Sequence, residues 1–180
     1  MALLESRGYL IGGGVMVLIR NIREDDAKKF LSMLIQLDNE TKLMLYEPGE
    51  RKRDIDKIRS IIKDAHPSSF IYVVEDDRKL VGFLSAKRGH TNRMKHRVYI
   101  VIGIMKSYTG KGIGRRLFNE LDNWATDNGV TRLELTVMKH NERAISLYKK
   151  MGYKVEGVRE KSVVVNGDYV DEYYMAKIIE

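Results

Sequence analysis

Between Ile100 and Leu117 the chain passes from an apolar run, Ile100-Val101-Ile102-Gly103-Ile104-Met105, into a turn and then into residues of helical spacing. The turn carries glycine at alternate positions, Gly110, Gly112 and Gly114. A strand followed by a glycine turn and a helix is a crossover, so the next strand must run parallel to the first. With little side chain in the way, the turn can aim backbone N–H groups into open space. The helix it opens has unpartnered N–H groups and the positive end of its dipole there. Such a place suits an anion, phosphate best, and Arg115 and Arg116 add charge beside it. A structural turn with glycines for clearance satisfies the same residues. Two named phosphate motifs do not fit. The order Gly-x-x-x-x-Gly-Lys-Ser/Thr is absent, and Gly-x-Gly-x-Gly past the middle of the chain is not the Gly-x-Gly-x-x-Gly of a first βα turn.

The rest of the chain falls into order around this stretch. Val15 to Arg20 reads as a strand, and Ala27, Phe30, Leu31, Leu34 and Leu37 set a helix over 24–38. Residues 39–50 have no clear period, and Pro48-Gly49 breaks any helix. Glu40, Tyr46, Glu47 and Glu50 fall in this segment, which reads either as the lining of a pocket for a cation or as a solvated loop. Ile55, Ile58, Ile61 and Ile62 share one face of a helix over 54–65, ended by Pro67. Strands are expected at 69–75 and 80–87. Between 87 and 97 lies a basic turn without interleaved aromatics, which reads as a solvated hairpin tip sooner than a nucleic-acid contact. The nearly continuous apolar strand at 98–105 is expected to be central and covered on both faces. Ile113, Leu117, Leu121 and Trp124 give a helix over 112–127, followed by a strand at 131–138 and a short helix at 142–151. Two strands, 153–165 and 168–178, pair through Asn166-Gly167, a strong hairpin signal.

The expectation is therefore an α/β (α+β) fold, a mixed twisted sheet of about seven strands with helices on both faces. Its order is β-α-α-β-β-β-α-β-α-β-β. A length of 180 residues with two prolines and no Gly/Ser linker reads as one domain over 15–180, preceded by an N-terminal extension, loose to about Gly14, at 1–14. Cysteine is absent, which removes thiolate nucleophiles and Cys-ligated metals. The four histidines show no zinc spacing, so no metal site is expected. The apolar stretch at 9–19 is too short to span a bilayer and lacks the marks of a signal peptide. These features give the expectation of a cytoplasmic protein without membrane or nucleic-acid partner. A net charge of +7 is compatible with a phosphorylated cofactor or a solvated surface.

Two segments together resemble one family. Ile104 to Gly114 is similar to the acyl-CoA motif of the GNAT N-acetyltransferase superfamily, Gln/Arg-x-x-Gly-x-Gly/Ala after a strand, with Thr109 at the Gln/Arg position. Asn141-Glu142-Arg143-Ala144-Ile145-Ser146-Leu147-Tyr148-Lys149-Lys150-Met151-Gly152-Tyr153 resembles that family's later motif. The resemblance implies a single GNAT-like domain using acetyl-CoA to acetylate a primary amine, small molecule or peptide, by direct transfer in a ternary complex. It implies that pantetheine pairs with backbone at Ile104, Met105 and Lys106. It implies further that pyrophosphate sits on Thr109, Gly110, Lys111, Gly112, Ile113, Gly114 and Arg115, and that Asn141 bonds the pantetheine arm. Tyr148 would be the catalytic proton donor to the departing thiolate. Glu40, Tyr46, Glu47, Glu50 and Tyr99 are candidate substrate contacts, Tyr99 standing near the place of a strand glutamate found in many relatives. A non-catalytic CoA-binding regulatory or interaction module is the alternative, and a homodimer is an expected partner state.

Overall fold

A computed structural model describes residues 6–65 and 69–180. Its eight strands are hydrogen-bonded in the order β1-β2-β3-β4-β5-β6-β8-β7. They are β1 (Arg7–Ile11), β2 (Val15–Asn21), β3 (Phe70–Asp76), β4 (Lys79–Arg88), β5 (Arg97–Ile104), β6 (Arg132–Met138), β7 (Lys154–Val165) and β8 (Asp168–Ile178). Four helices join them: α1 (Ala27–Glu40), α2 (Ile55–Asp64), α3 (Ile113–Asp127) and α4 (Glu142–Lys150). The sheet is mixed, with β5 parallel to β6 and antiparallel pairs on either side. The expected end of the second helix at Pro67 lies outside the described residues. None of the helices described is long and apolar enough to cross a membrane.

The chain forms two compact units, Met1–Lys87 with Val101–Leu117, and Arg88–Ile100 with Phe118–Glu180. In the first unit, α1 buries Ala27, Phe30, Leu31, Met33, Leu34 and Leu37, the helical repeat of its sequence. The helix begins after a 3-10 turn at Glu24–Asp26 and runs to Glu40, so Glu40 is helical instead of lying in the aperiodic loop. The expected loose tail is corrected as well. Residues Arg7–Ile11 pair antiparallel with β2, which brings the strand count to eight. Gly13 and Gly14 take φ of 89° and 76°, and the Gly14 N–H donates to the Ile11 carbonyl at 3.2 Å, closing the hairpin.

The second unit is built on the long β7–β8 hairpin. Asn166 and Gly167 both take positive φ, 54° and 88°, which matches the twist of the flanking strands. In α3, Leu117 ends the first unit's share, and Phe118, Leu121 and Ala125 of the second are all at 0% exposure. The strand β5 contributes its first half to this unit and its second half to the other. The expectation that it is covered on both faces does not hold. Val98 and Ile100 are buried, but Tyr99 and Val101 are 37% and 41% exposed. Apolar residues on both faces look alike in sequence whether a face is covered or left open to a ligand.

A buried ion network holds β2 to the 3-10 turn and β3. The Arg20 guanidinium donates to both Asp26 oxygens at 2.7 and 2.9 Å and to Glu75 at 2.9 Å through Nε. Burial pushes the Asp26 carboxyl up, but the Arg20 hydrogen bond and the Arg23 backbone N–H outweigh it and hold the group below its ordinary value. Removing one partner leaves buried charge uncompensated, so Arg20→Met should destabilise the protein by about 3–5 kcal/mol in urea denaturation at pH 7. The Asp26 contribution is complete above an unfolded carboxylate pKa of about 3.9 and fades as the pH falls through the lowered folded value. The gap between wild type and Arg20→Met should therefore narrow under strongly acid conditions.

Candidate active site

The residues after β5 form a compact bend. The Met105 N–H donates to the Val81 carbonyl at 2.9 Å, and Met105 itself is 1% exposed, its side chain in the core. A 3-10 turn, Lys106–Tyr108, comes next, closed by the Tyr108 N–H on the Met105 carbonyl at 2.9 Å. Thr109 spends its side chain locally, donating through Oγ1 to the Lys106 carbonyl at 2.7 Å. Gly110 and Gly112 then take φ of 79° and 85°, values that favour glycine. Above Gly112 there is open space, since a Cβ there would meet nothing within 4 Å. Ile113 and Gly114 are buried at the start of α3, while Arg115 is exposed.

Neighbouring groups of the same unit brace this turn. The Tyr108 hydroxyl donates to Asp76 at 2.5 Å, a bond that, with burial, raises the phenol above its ordinary pKa. The Lys111 ammonium lies 5.1 Å over the Tyr108 ring. The β1–β2 hairpin adds its own contacts. Arg116 donates to the Leu10 carbonyl at 3.0 Å and lies 4.6 Å over the Tyr9 ring. Arg116 is thus held by the hairpin, and Arg115 is the arginine left on the surface.

The candidate substrate residues separate into distinct roles. Glu40, at the end of α1, accepts the Lys106 N–H at 2.8 Å and the Gln36 side-chain amide at 2.7 Å. This joins the helix to the exit of β5. Glu47 and Glu50 close a turn on each other, the Glu47 N–H donating to the Glu50 carboxylate at 2.9 Å. The Tyr46 ring lies 4.2 Å under the Arg51 guanidinium, which pairs with buried Asp38 at 2.5 Å. Leu43 and Leu45 are 41% and 78% exposed on the same segment. The loop therefore presents apolar surface along with its acids.

In the second unit, the β5–β6 ladder covers three pairs, from Arg97↔Arg132 to Tyr99↔Glu134. Just past its last rung the Tyr99 hydroxyl meets Thr136 Oγ1 at 2.7 Å. Thr136 was not among the sequence candidates. Its signal was present, a lone hydroxyl between Leu135 and Val137 in an alternating strand. Tyr148, on α4, is 7% exposed, with its ring against Phe118 and Tyr153 at 5.6 and 6.1 Å. Burial first, and then nearby Tyr99, pushes the Tyr148 phenol well above its ordinary pKa, so it stays protonated through the neutral range. Asn141 is the N-cap of α4, its side-chain oxygen accepting the Ala144 N–H at 3.2 Å. Its amide NH₂ remains the donor it can offer to a ligand.

Residues 31–153 match the family model described as the Acetyltransferase (GNAT) family. Among curated relatives, an L-amino acid N-acetyltransferase of Escherichia coli is 36% identical over 57% of this chain, and the chain spans 64% of that protein, under two thirds of its length. A spermidine N(1)-acetyltransferase of Escherichia coli is 31% identical over 85% of this chain and 81% of its own. Among solved structures, a GNAT-family acetyltransferase from Streptococcus pneumoniae superposes with a TM-score of 0.87 at 26% identity, covering 91% of this chain and 99% of that one. An acetyltransferase from Salmonella typhimurium, solved with its cofactor acetyl-CoA, shares the fold with a TM-score of 0.81 at 18% identity, over 91% and 94% of the two chains.

The positive φ at Gly112 sets a conformational cost for any side chain there, although nothing obstructs it sterically. Gly112→Ala should lower stability by about 1–2 kcal/mol in urea denaturation. It should also weaken whatever anion the turn holds.

Proposed function

Because the chain belongs to the GNAT acetyltransferase family, we propose that it is an acetyl-CoA-dependent N-acetyltransferase that passes the acetyl group directly to a primary amine in a ternary complex. The observation that carries this reading is the short β5–β6 ladder. It ends at Tyr99, while β5 runs on to Ile104 and into the glycine turn. A strand released from one neighbour has backbone groups to offer a ligand's amides. Acetyl-CoA, when bound, supplies an activated acetyl thioester.

The residues of the chain then divide the work. Ile104 would pair with the pantetheine arm through its backbone, the Lys106 N–H being engaged by Glu40, and Asn141 would offer its amide as a donor. The turn from Thr109 to Arg115 would hold the pyrophosphate on backbone N–H groups, which suits an anion at a helix start. Open space at Gly112 fits that use. Tyr148, kept neutral by burial, would give its phenolic proton to the departing thiolate, and a phenol held protonated is suited to that task. Glu40, Tyr46, Glu47 and Glu50 would receive the amine, a small molecule or a peptide end. The reading extends to a cytoplasmic protein whose partners are its two substrates and a second copy of itself, not nucleic acid.

Acetyl-CoA should raise the melting temperature by mass action, by an amount that grows with ligand concentration. No shift at millimolar acetyl-CoA would count decisively against the donor. Thiol release across a panel of amines should then identify the acceptor, whereas a thermal shift with no thiol release from any amine would point to a CoA-binding module. In the same assay Tyr148→Phe should retain acetyl-CoA affinity and lose on the order of 10²-fold in kcat. An unchanged kcat would remove Tyr148 from the mechanism.

A further inference from the structure

The glycine turn after β5 is built from residues that do not hold a shape by themselves. Gly110 and Gly112 take φ of 79° and 85°, and glycine leaves such values as readily as it enters them. Backbone N–H groups favour an anion most when they are already aimed at one point, and ordering them at the moment of binding lowers affinity. What fixes this turn must lie outside it. At its near end the Tyr108 hydroxyl is bonded to Asp76, the last residue of β3, at 2.5 Å. At its far end the partner is the β1–β2 hairpin. In the hairpin turn, a Cβ on Gly12 would lie 3.7 Å from the Lys111 Cα, so the two segments pack directly on each other. The Lys111 side chain reaches back over the Tyr108 ring, at 5.1 Å. Beyond the glycines, Arg116 donates to the Leu10 carbonyl at 3.0 Å and lies 4.6 Å over the Tyr9 ring.

The strand that makes these contacts adds little to the core. Of Arg7–Ile11 only Ile11 is buried, and Leu10 and Met16, paired across the hairpin, are both 60% exposed. Arg116 stands in the first turn of α3, where the positive end of the helix dipole disfavours a cation. The Leu10 carbonyl and the negative face of the Tyr9 ring offset that repulsion and give the guanidinium one place to lie.

We propose that the β1–β2 hairpin is a positioning element of the acetyl-CoA site: Tyr9 and the Leu10 carbonyl fix Arg116, Gly12 backs Lys111, and the turn between them is held in shape for the pyrophosphate. The proposal rests on the acetyl-CoA reading of that turn. Tyr9 and Arg116 are positioning residues that act through the backbone of the turn. They serve binding of the donor and not the chemical step, so their loss raises KM for acetyl-CoA and leaves kcat as it is.

The test uses the full chain, with CoA as the probe in calorimetry and acetyl-CoA with an amine that the panel identifies in turnover. Tyr9→Leu keeps an apolar side chain in the strand and leaves every charge in place. It should weaken CoA by about threefold or more and raise the acetyl-CoA KM in step, with kcat unchanged. Arg116→Met should weaken CoA by roughly tenfold. Arg116→Lys keeps the charge but not the planar guanidinium, so it should recover only part of that loss. Because the ring acts through the guanidinium, adding Tyr9→Leu to Arg116→Met should weaken CoA no further. Backbone NMR order parameters of the ligand-free chain should fall at Gly110–Arg115 in Tyr9→Leu and hold along α1. A wild-type CoA dissociation constant in Tyr9→Leu, full recovery in Arg116→Lys, losses that multiply in the double variant, or order parameters unmoved at the turn would each overturn the brace. A wild-type chain that binds no CoA would instead overturn the acetyl-CoA reading, and the order parameters would then decide the brace by themselves.

Discussion

Backbone N–H and C=O groups must find partners wherever water is excluded, and the exit of β5 is where this chain meets that demand in an unusual way. The ladder with β6 stops at Tyr99. Further along, the Met105 N–H turns to Val81 and the Lys106 N–H to the Glu40 carboxylate. The Tyr108 and Thr109 N–H groups close a short 3-10 turn. The chain then bends through glycines of left-handed φ, and its next N–H groups belong to the first turn of α3, where a helix has no internal partner to give them. A ligand that accepts hydrogen bonds completes the set. The same demand shapes an ordinary strand-to-helix connection, and it is these backbone groups that the proposed function assigns to acetyl-CoA.

Buried charge is managed by pairing, and the pairing shapes the chemistry that is left. Arg20 neutralises Asp26 and Glu75, Arg51 neutralises Asp38, and Arg97 with Arg132 neutralises Glu134. Two of these pairs, Arg20–Glu75 and Arg97–Glu134, tie together elements distant in sequence. Removing one partner from such a pair costs far more than the pair contributes net. These carboxylates are consequently structural. Of the candidate substrate acids, Glu40 ends α1, and Glu47 and Glu50 lie on the loop after it. In the second unit, Tyr99 and Thr136 share a contact between uncharged hydroxyls, and Tyr148 is buried among aromatic rings.

Much of the fold could be read from the residues. The alternation of apolar side chains placed the strands to within a residue or two, and the parallel pair followed from the helix between β5 and β6. Asn166-Gly167 predicted its hairpin because both residues tolerate positive φ, as they adopt. The first strand was not legible. Arg7–Ile11 is short and mostly exposed, and three consecutive glycines read as a loose tail until pairing with β2 supplies the hydrogen bonds that order it. Residues Ile113 and Gly114 of the glycine stretch turned out buried, and Met105 inside the core, because a run of apolar and small residues does not say which of them face a ligand.

What the sequence by itself determined is local: the helical and strand periods, the hairpin, the positions that must be glycine, and the two segments that share the GNAT pattern. These depend on steric limits and capping chemistry carried by neighbouring residues. Only the tertiary structure decided which charges cancel, which face of β5 stays open, and that Thr136 meets Tyr99. Those outcomes depend on contacts between residues tens of positions apart, and no local preference encodes which partner a carboxylate or a hydroxyl will find once the strands are laid side by side.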